Sequence, residues 1–201
     1  MIGPLFIAIE GPNGVGKTTV AGLLADALAA RTGRRAHLTS EPTRSELGQL
    51  VRRTEATLQG RALALALAAD RAEHVDGEIL EMLNAGLHVI TDRYVPSSLV
   101  LQRVDGLDLD EIWSYNKYFL PTITFYLIDD PDVITGRLGR RASLSRLEMT
   151  GGSAKELRFY AEAREFLVAE DWRQHEVDCQ GRTPQEVTET ILSLLKLTDS
   201  H

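Results

Sequence analysis

Leu5-Phe6-Ile7-Ala8-Ile9-Glu10 runs straight into Gly11-Pro12-Asn13-Gly14-Val15-Gly16-Lys17-Thr18-Thr19. The first six residues are a short apolar run rich in strand formers, and their length and the flanking glycines favour a buried strand. The next eight, Gly11 to Thr18, fit G-x-x-x-x-G-K-[ST]. From Thr18 to Arg31, Val20, Leu23, Leu24, Ala27 and Leu28 recur at helical spacing, and Gly33 ends the pattern. Strand, glycine loop and helix are the context this motif requires. The glycines let backbone N–H groups turn inward around phosphate oxygens. Lys17 brings a positive charge to the β- and γ-phosphates, and the Thr18 hydroxyl suits Mg²⁺. The helix that starts here points the positive end of its dipole at the anion. The stretch predicts binding of ATP or GTP through Gly11, Asn13, Gly14, Gly16, Lys17, Thr18 and Thr19.

Outward from this loop, strands and helices alternate. Ala36–Thr39, His88–Thr91, Thr122–Ile128 and Glu176–Cys179 read as further strands. Helices are expected at Ser45–Arg53, Gly60–Asn84, Asp108–Phe119, Pro131–Arg141, Ala154–Glu170 and Thr183–Leu195. The segment Ala62–Ala69 is apolar all round, which predicts burial on every side. Ser143–Ser153, polar with paired glycines, is expected to be a mobile loop. The order predicts a parallel sheet covered by helices on both faces, an α/β fold in a single domain. Ligands of such sheets sit beyond the carboxyl ends of the strands.

Polar residues follow the other strands at that edge. Ser40-Glu41-Pro42-Thr43-Arg44 follows the second and Asp92-Arg93-Tyr94 the third. Asp92 is placed to hold Mg²⁺ or its water shell, and Arg93 offers a bidentate fork to a second phosphate. Asp70-Arg71, directly after the apolar helical run, is expected to face a cavity or an interface. Arg137, Arg140, Arg141 and Arg146 crowd one stretch and suggest a lid, over about 140–153, that closes on phosphates and excludes water.

The 201 residues are 43% hydrophobic and 25% charged, which excludes a disordered chain or a coiled coil. The net charge of −7 argues against a nucleic-acid polymer as partner while allowing a small anion in a local positive pocket. The lone Cys179 excludes an intrachain disulfide and reads as a small residue at a strand end. No signal peptide and no run near the roughly 18 apolar residues of a membrane span is visible, so a cytoplasmic location is expected. The histidines form no metal-ligand spacing.

Taken together, EGPNGVGKTT, EPT…LGQLVR, LAADRAEHV, VITDRYVPSSLVLQ, PTITFYL and RRASLSRLE, in this order over nearly the whole chain, resemble the thymidylate kinase family of nucleoside monophosphate kinases. The resemblance implies the three-layer P-loop NTPase fold with a five-stranded parallel sheet, a homodimer, and transfer of the ATP γ-phosphoryl group to dTMP to give dTDP. It implies that Lys17 and Thr18 serve ATP and Mg²⁺, that Arg93 clamps the acceptor phosphate, and that Arg71 hydrogen-bonds the base. Ser97, Ser98 and Gln102 would line the acceptor pocket, and Glu41 and Asp92 would sit near the metal. The glycine loop carries no arginine, so the catalytic arginine is expected in the lid, at Arg141 or Arg146.

Three positions depart from the family pattern. Leu67 stands where a base-stacking phenylalanine is common, Leu101 where a tyrosine often packs near the sugar, and Asn13 where an aspartate often lies near the 3′-hydroxyl. These changes leave another (deoxy)nucleoside monophosphate open as the acceptor, and also a non-catalytic nucleotide-binding relative. A GTP-binding switch would need Asn-Lys-x-Asp after a strand. Asn116-Lys117-Tyr118-Phe119 lacks the aspartate and precedes the strand.

Overall fold

The computed structural model describes residues 3–55, 57–120, 122–139 and 146–197, with 146–151 by backbone only. Strand β1 (Phe6–Glu10) leads through the glycine loop into helix α1 (Lys17–Thr32). After β2 (Ala36–Ser40) come α2 (Glu46–Thr54) and α3 (Gly60–His74). A π-helical turn at Val75–Ile79 joins α3 to α4 (Leu80–Asn84). Strand β3 (His88–Asp92) precedes α5 (Val95–Leu101), a 3₁₀ turn at Gln102–Asp105 and α6 (Leu109–Asn116). Next are β4 (Ile123–Ile128), α7 (Pro131–Leu138), α8 (Arg146–Ala169), β5 (Gln174–Asp178) and α9 (Pro184–Leu194).

All strand pairs are parallel, in the order β2-β3-β1-β4-β5. The alternation of β1 sorts the core into two halves. Ile7 and Ile9 pack with Leu24, Leu28, Phe125, Leu127 and Ile191 under α1 and α9. Phe6 and Ala8 pack with Ile79, Tyr94, Leu99, Ile112 and Trp172 on the other face. A sheet apolar on both faces needs helices on both, which makes the three layers. Every strand therefore ends at one edge, and Glu10, Ser40 and Asp92 are brought side by side there.

Local signals set the helix starts. The Ser45 and Asp108 side chains accept from the N–H groups of Gly48 and Glu111. Thr183 and Glu186 form a reciprocal capping box before α9. Pro131 opens α7, where its missing N–H is harmless.

Four expectations need correction. Helix α5 stands where none was expected, because its seven residues are too short for a periodic pattern and start with Val95-Pro96. Strand β5 begins two residues before the expected Glu176, because it is an edge strand whose Gln174 and His175 read as polar. It ends before Cys179, whose buried thiol donates to the Val177 carbonyl at 3.6 Å. Residues 146–151, expected in a loop, are helical, and the break comes at Gly152 (φ 65°, ψ −178°). Finally, α3 is not buried all round. Leu63, Ala64 and Ala68 face the core, whereas Ala62, Leu65 and Ala69 form an exposed stripe, with Leu65 51% exposed.

Candidate active site

The glycine loop takes its shape from backbone that other residues rarely adopt. Gly11 has φ 132°, and a Cβ there would lie 2.5 Å from the Leu127 carbonyl oxygen. Gly16 has φ 109° and precedes the first turn of α1. Lys17 is folded into this loop, and its Nζ donates to the carbonyls of Gly11 at 2.9 Å and Pro12 at 3.0 Å. Burial, with the neighbouring Arg93 charge next in effect, pulls the Lys17 pKa down to about 7. Gly14, Gly16, Lys17, Thr18, Thr19, Asn13, Asp92 and Arg93 surround a cavity of about 240 Å³.

Thr18 and Asp92 meet at the mouth of that cavity. Thr18 Oγ1 donates to Asp92 Oδ2 at 2.6 Å, while Asp92 Oδ1 is buried with no hydrogen-bond partner among the described residues. A hydroxyl beside an unsatisfied carboxylate oxygen is a hard, oxygen-only donor set, which fits Mg²⁺.

Arg93 follows β3 with φ 77°, a left-handed backbone that is costly for a residue with a Cβ. Its Nη1 donates to Ser97 Oγ at 2.8 Å and to Tyr160 Oη at 3.2 Å, and its Nη2 donates to Asn13 Oδ1. Beneath it lies Glu10, fully buried at the end of β1. The Glu10 carboxylate accepts from Tyr94 N at 2.7 Å, Ser97 N at 3.2 Å, Ser97 Oγ at 2.7 Å and Tyr160 Oη at 3.2 Å. Burial raises the Glu10 pKa, against the pull of Arg93 and these donors. The carboxylate thus holds the first turn of α5 onto β1.

Arg71 and Asp70 are both buried, and the expected cavity-facing pair is locked into the loop after β2. Asp70 accepts from Thr43 N at 2.8 Å and Thr43 Oγ1 at 2.6 Å. Arg71 Nε donates to Glu41 Oε2 at 2.8 Å, and its other nitrogens reach Asn116 Oδ1, Ser98 Oγ at 3.0 Å and the Tyr94 carbonyl at 3.2 Å. His74 sits 3.1 Å from the other Glu41 oxygen and 2.7 Å from Thr39 Oγ1. Asn116, half of the incomplete guanine-reading motif, is spent on Arg71 and on the Ile112 carbonyl.

A second cavity, about 230 Å³, adjoins the first. Leu63, Leu67, Leu101, Val51 and Val104 line it, with Glu41, Arg52, Glu55, Asn13, Arg93 and Gln102 as its polar contributors. Asn13 and Arg93 belong to both cavities, so the two spaces meet there. The Gln102 amide is buried, and neither its oxygen nor its nitrogen has a partner among the described residues. A third space, about 300 Å³, lies on the other side of the loop between Gly14, Asp129, Arg137, Cys179 and Arg182.

The structure thus brings Asn13, Glu41, Leu67, Arg93, Leu101 and Gln102 to one cavity wall. Arg71, Ser97 and Ser98 stand behind that wall and hold its residues. Arg137, expected over phosphates, pairs with Asp129 at 2.8 Å beside the third space. Arg140 and Arg141 lie outside the described residues, as does the side chain of Arg146. The sequence reading missed Glu10, His74 and Tyr160 as site residues. Glu10 and His74 lay within quoted segments, but as an apparent strand end and a lone histidine. Tyr160 carried no motif signal at all.

A phosphate loop at the end of β1, with a second cavity meeting the first at Arg93 beside the switch in strand order, is the arrangement of a P-loop nucleotide-binding protein. The comparisons give the family. The thymidylate kinase family model matches residues 9–191. The thymidylate kinase of Geobacillus thermodenitrificans is 31% identical over 215 residues, covering 98% of this chain and 93% of that one. The probable thymidylate kinase of Pyrococcus horikoshii is 42% identical over 154 residues, covering 73% and 71%. Among solved structures, thymidylate kinase from Candida albicans superposes with a TM-score of 0.70 at 23% identity, covering 96% of this chain and 92% of that one, which shows the fold. The chain belongs to the thymidylate kinase family, ATP-dependent kinases that phosphorylate dTMP to dTDP. Among the described residues, no helix is long and apolar enough to cross a membrane.

Proposed function

We propose that the 230 Å³ cavity is the acceptor site and that it takes dTMP. The observation that carries this reading is the Gln102 amide, which offers one buried donor and one buried acceptor, both without partners among the described residues, beside the aliphatic Leu63, Leu67, Leu101 and Val104 of the cavity. An unmet buried amide is costly, and a pyrimidine edge bearing N–H next to C=O satisfies both halves at once. The aliphatic residues cover the ring faces, and Arg93 takes the 5′-phosphate where the two cavities meet.

The loop binds the triphosphate of ATP through Gly11, Gly14, Gly16, Lys17, Thr18 and Thr19. Thr18 and Asp92 would hold Mg²⁺, which would supply neutralising charge for the transferring phosphate. Arg93 orients the acceptor, whose phosphate oxygen attacks the γ-phosphorus in line. The new P–O bond forms as the bond to the β-phosphate bridging oxygen breaks, and ADP leaves. Lys17 and the lid arginines, Arg141 or Arg146 within about 140–153, stabilise the transferring oxygens. Glu41 orients Arg71 towards the base from behind the wall, with Ser98 beside it, and Ser97 does the same for Arg93. The chain works as one domain in the cytoplasm and pairs with a second copy through the exposed stripe of α3.

An ADP-release assay with Mg·ATP and dTMP, dUMP, UMP, dCMP, dGMP or no acceptor tests the reading. The highest kcat/KM is expected with dTMP and almost no release without acceptor. A higher kcat/KM with a purine monophosphate overturns the assignment of the cavity.

A further inference from the structure

Tyr160 lies on α8, beyond the break at Gly152 and outside every motif, yet its hydroxyl sits inside the Arg93 cluster. It is 3.2 Å from Arg93 Nη1, 3.3 Å from Ser97 Oγ and 3.2 Å from Glu10 Oε2. The residue is 4% exposed, and its ring meets Tyr126 edge-on at 6.1 Å. Burial and the Glu10 charge keep the phenol protonated, so it donates to Glu10 and accepts from Arg93.

Arg93 needs such support. Its backbone is in the strained left-handed region, and its hydrogen-bond partners Asn13, Ser97 and Tyr160 are all neutral oxygens. Neutral oxygens therefore fix the position of its fork, while the Glu10, Glu156 and Asp92 charges act on it from nearby, and a positioned fork is what recognition of a phosphate requires. Ser97 and Asn13 come from segments near Arg93 at the strand ends. Tyr160 alone of the three comes from α8, the helix that follows the lid segment.

We propose that Tyr160 is a positioning residue for the acceptor: its hydroxyl, carried by α8, aims the Arg93 guanidinium that binds the acceptor phosphate. The inference rests on the reading of Arg93 as the acceptor clamp.

Steady-state kinetics of four proteins test it: the unaltered chain, Tyr160→Phe, Arg93→Lys and Phe159→Leu. Phe159 is the neighbouring buried ring, with the Arg103 guanidinium over its face at 4.2 Å and no hydroxyl to offer Arg93, so it reports the packing of α8 apart from the Tyr160 hydrogen bond. Tyr160→Phe keeps the ring and removes only the hydroxyl. Its KM for dTMP is expected to rise roughly tenfold, the effect of one lost hydrogen bond to a charged group, with the KM for ATP unchanged. Phe159→Leu is expected to lower Tm and leave the dTMP KM alone. Arg93→Lys is expected to raise the dTMP KM more than either, and adding Tyr160→Phe to it is expected to change little further. An unchanged dTMP KM in Tyr160→Phe, or an equal rise in Phe159→Leu, overturns the role of Tyr160 while the clamp stands. An unchanged dTMP KM in Arg93→Lys overturns the clamp itself.

Discussion

The Lys17 ammonium donates to the Gly11 carbonyl oxygen at 2.9 Å, turned back onto the loop that it serves. It is buried there beside Arg93, and its pKa falls to about 7. A polyphosphate entering the loop brings negative charge to within contact and raises that pKa toward the ordinary lysine range. Between pH 7 and 10 the free protein therefore holds fewer protons than the complex, and ATP binding takes up a proton. At pH 8, where ATP is already deprotonated, uptake approaching one proton is expected, and near pH 5.5 uptake by Lys17 vanishes. Titration calorimetry in two buffers of different ionisation enthalpy counts those protons. Zero uptake at pH 8 refutes the low pKa.

Replacing Lys17 with Ala removes a charge that the free protein holds at a desolvation cost. The fold is expected to survive with Tm unchanged or slightly raised, while kcat falls by about 10²–10³, the effect of losing one preorganised electrostatic contact to the transition state. A thermal melt alongside single-turnover kinetics separates the two effects. Near-normal turnover excludes the phosphoryl-transfer role of Lys17.

Leu67 and Leu101 both line the 230 Å³ cavity, whose described lining carries no aromatic ring. Leu67→Phe adds a ring beside the space assigned to the base. Aromatic stacking adds about 0.5–1.5 kcal/mol beyond area burial, so dTMP affinity is expected to rise roughly 2- to 10-fold. Calorimetry of dTMP binding decides it. Unchanged affinity means that the wall is shaped so that position 67 does not face the base.

The glycine loop, the alternation of strands and helices, and the charged residues ending β2 and β3 were legible because each is a local pattern. A loop motif sits between its strand and helix, and Asp92-Arg93 directly follows an apolar run. The Arg93 support was not, since Glu10, Ser97 and Tyr160 come from three separate segments and meet only when α8 packs over the sheet. Leu65 misled for the opposite reason. Composition records that Ala62–Ala69 is apolar, but not that α3 turns one stripe of it outward. Edge strand β5, polar at Gln174 and His175, shows that period-two patterns fade where only part of a strand is covered.

Asp70 carries a prediction about stability. Its carboxylate is 1% exposed and takes both the N–H and the hydroxyl of Thr43, pinning the loop after β2 to α3. Asp70→Ala leaves a buried N–H and a buried hydroxyl without that acceptor. About 2–4 kcal/mol of stability is expected to disappear, read as a lower urea midpoint at unchanged slope. The dTMP KM is expected to rise as well, because Glu41 and Pro42 of that loop line the cavity proposed for the acceptor. A loss below about 0.5 kcal/mol means that the loop is held chiefly by Arg71 and Glu41.

The exposed stripe of α3 makes the last prediction. Ala62, Leu65 and Ala69 recur at helical spacing on the outer face, while Leu63, Ala64 and Ala68 on the same helix are buried. Small residues flanking a leucine let two copies of one helix approach closely, and a two-fold contact presents the same stripe twice. Sedimentation velocity at micromolar concentration is expected to give a dimer. Leu65→Glu places two like charges near the two-fold axis with little change to the core of either copy, and is expected to give a monomer that still binds ATP. A monomer from the unaltered chain refutes the dimer, and a dimer that survives Leu65→Glu moves the contact to another face. Of the two, the second result leaves Leu65 as an exposed side chain with no assigned partner, and it directs the search to the other large hydrophobic side chains exposed among the described residues, Leu38, Leu50, Tyr118, Val133 and Val168.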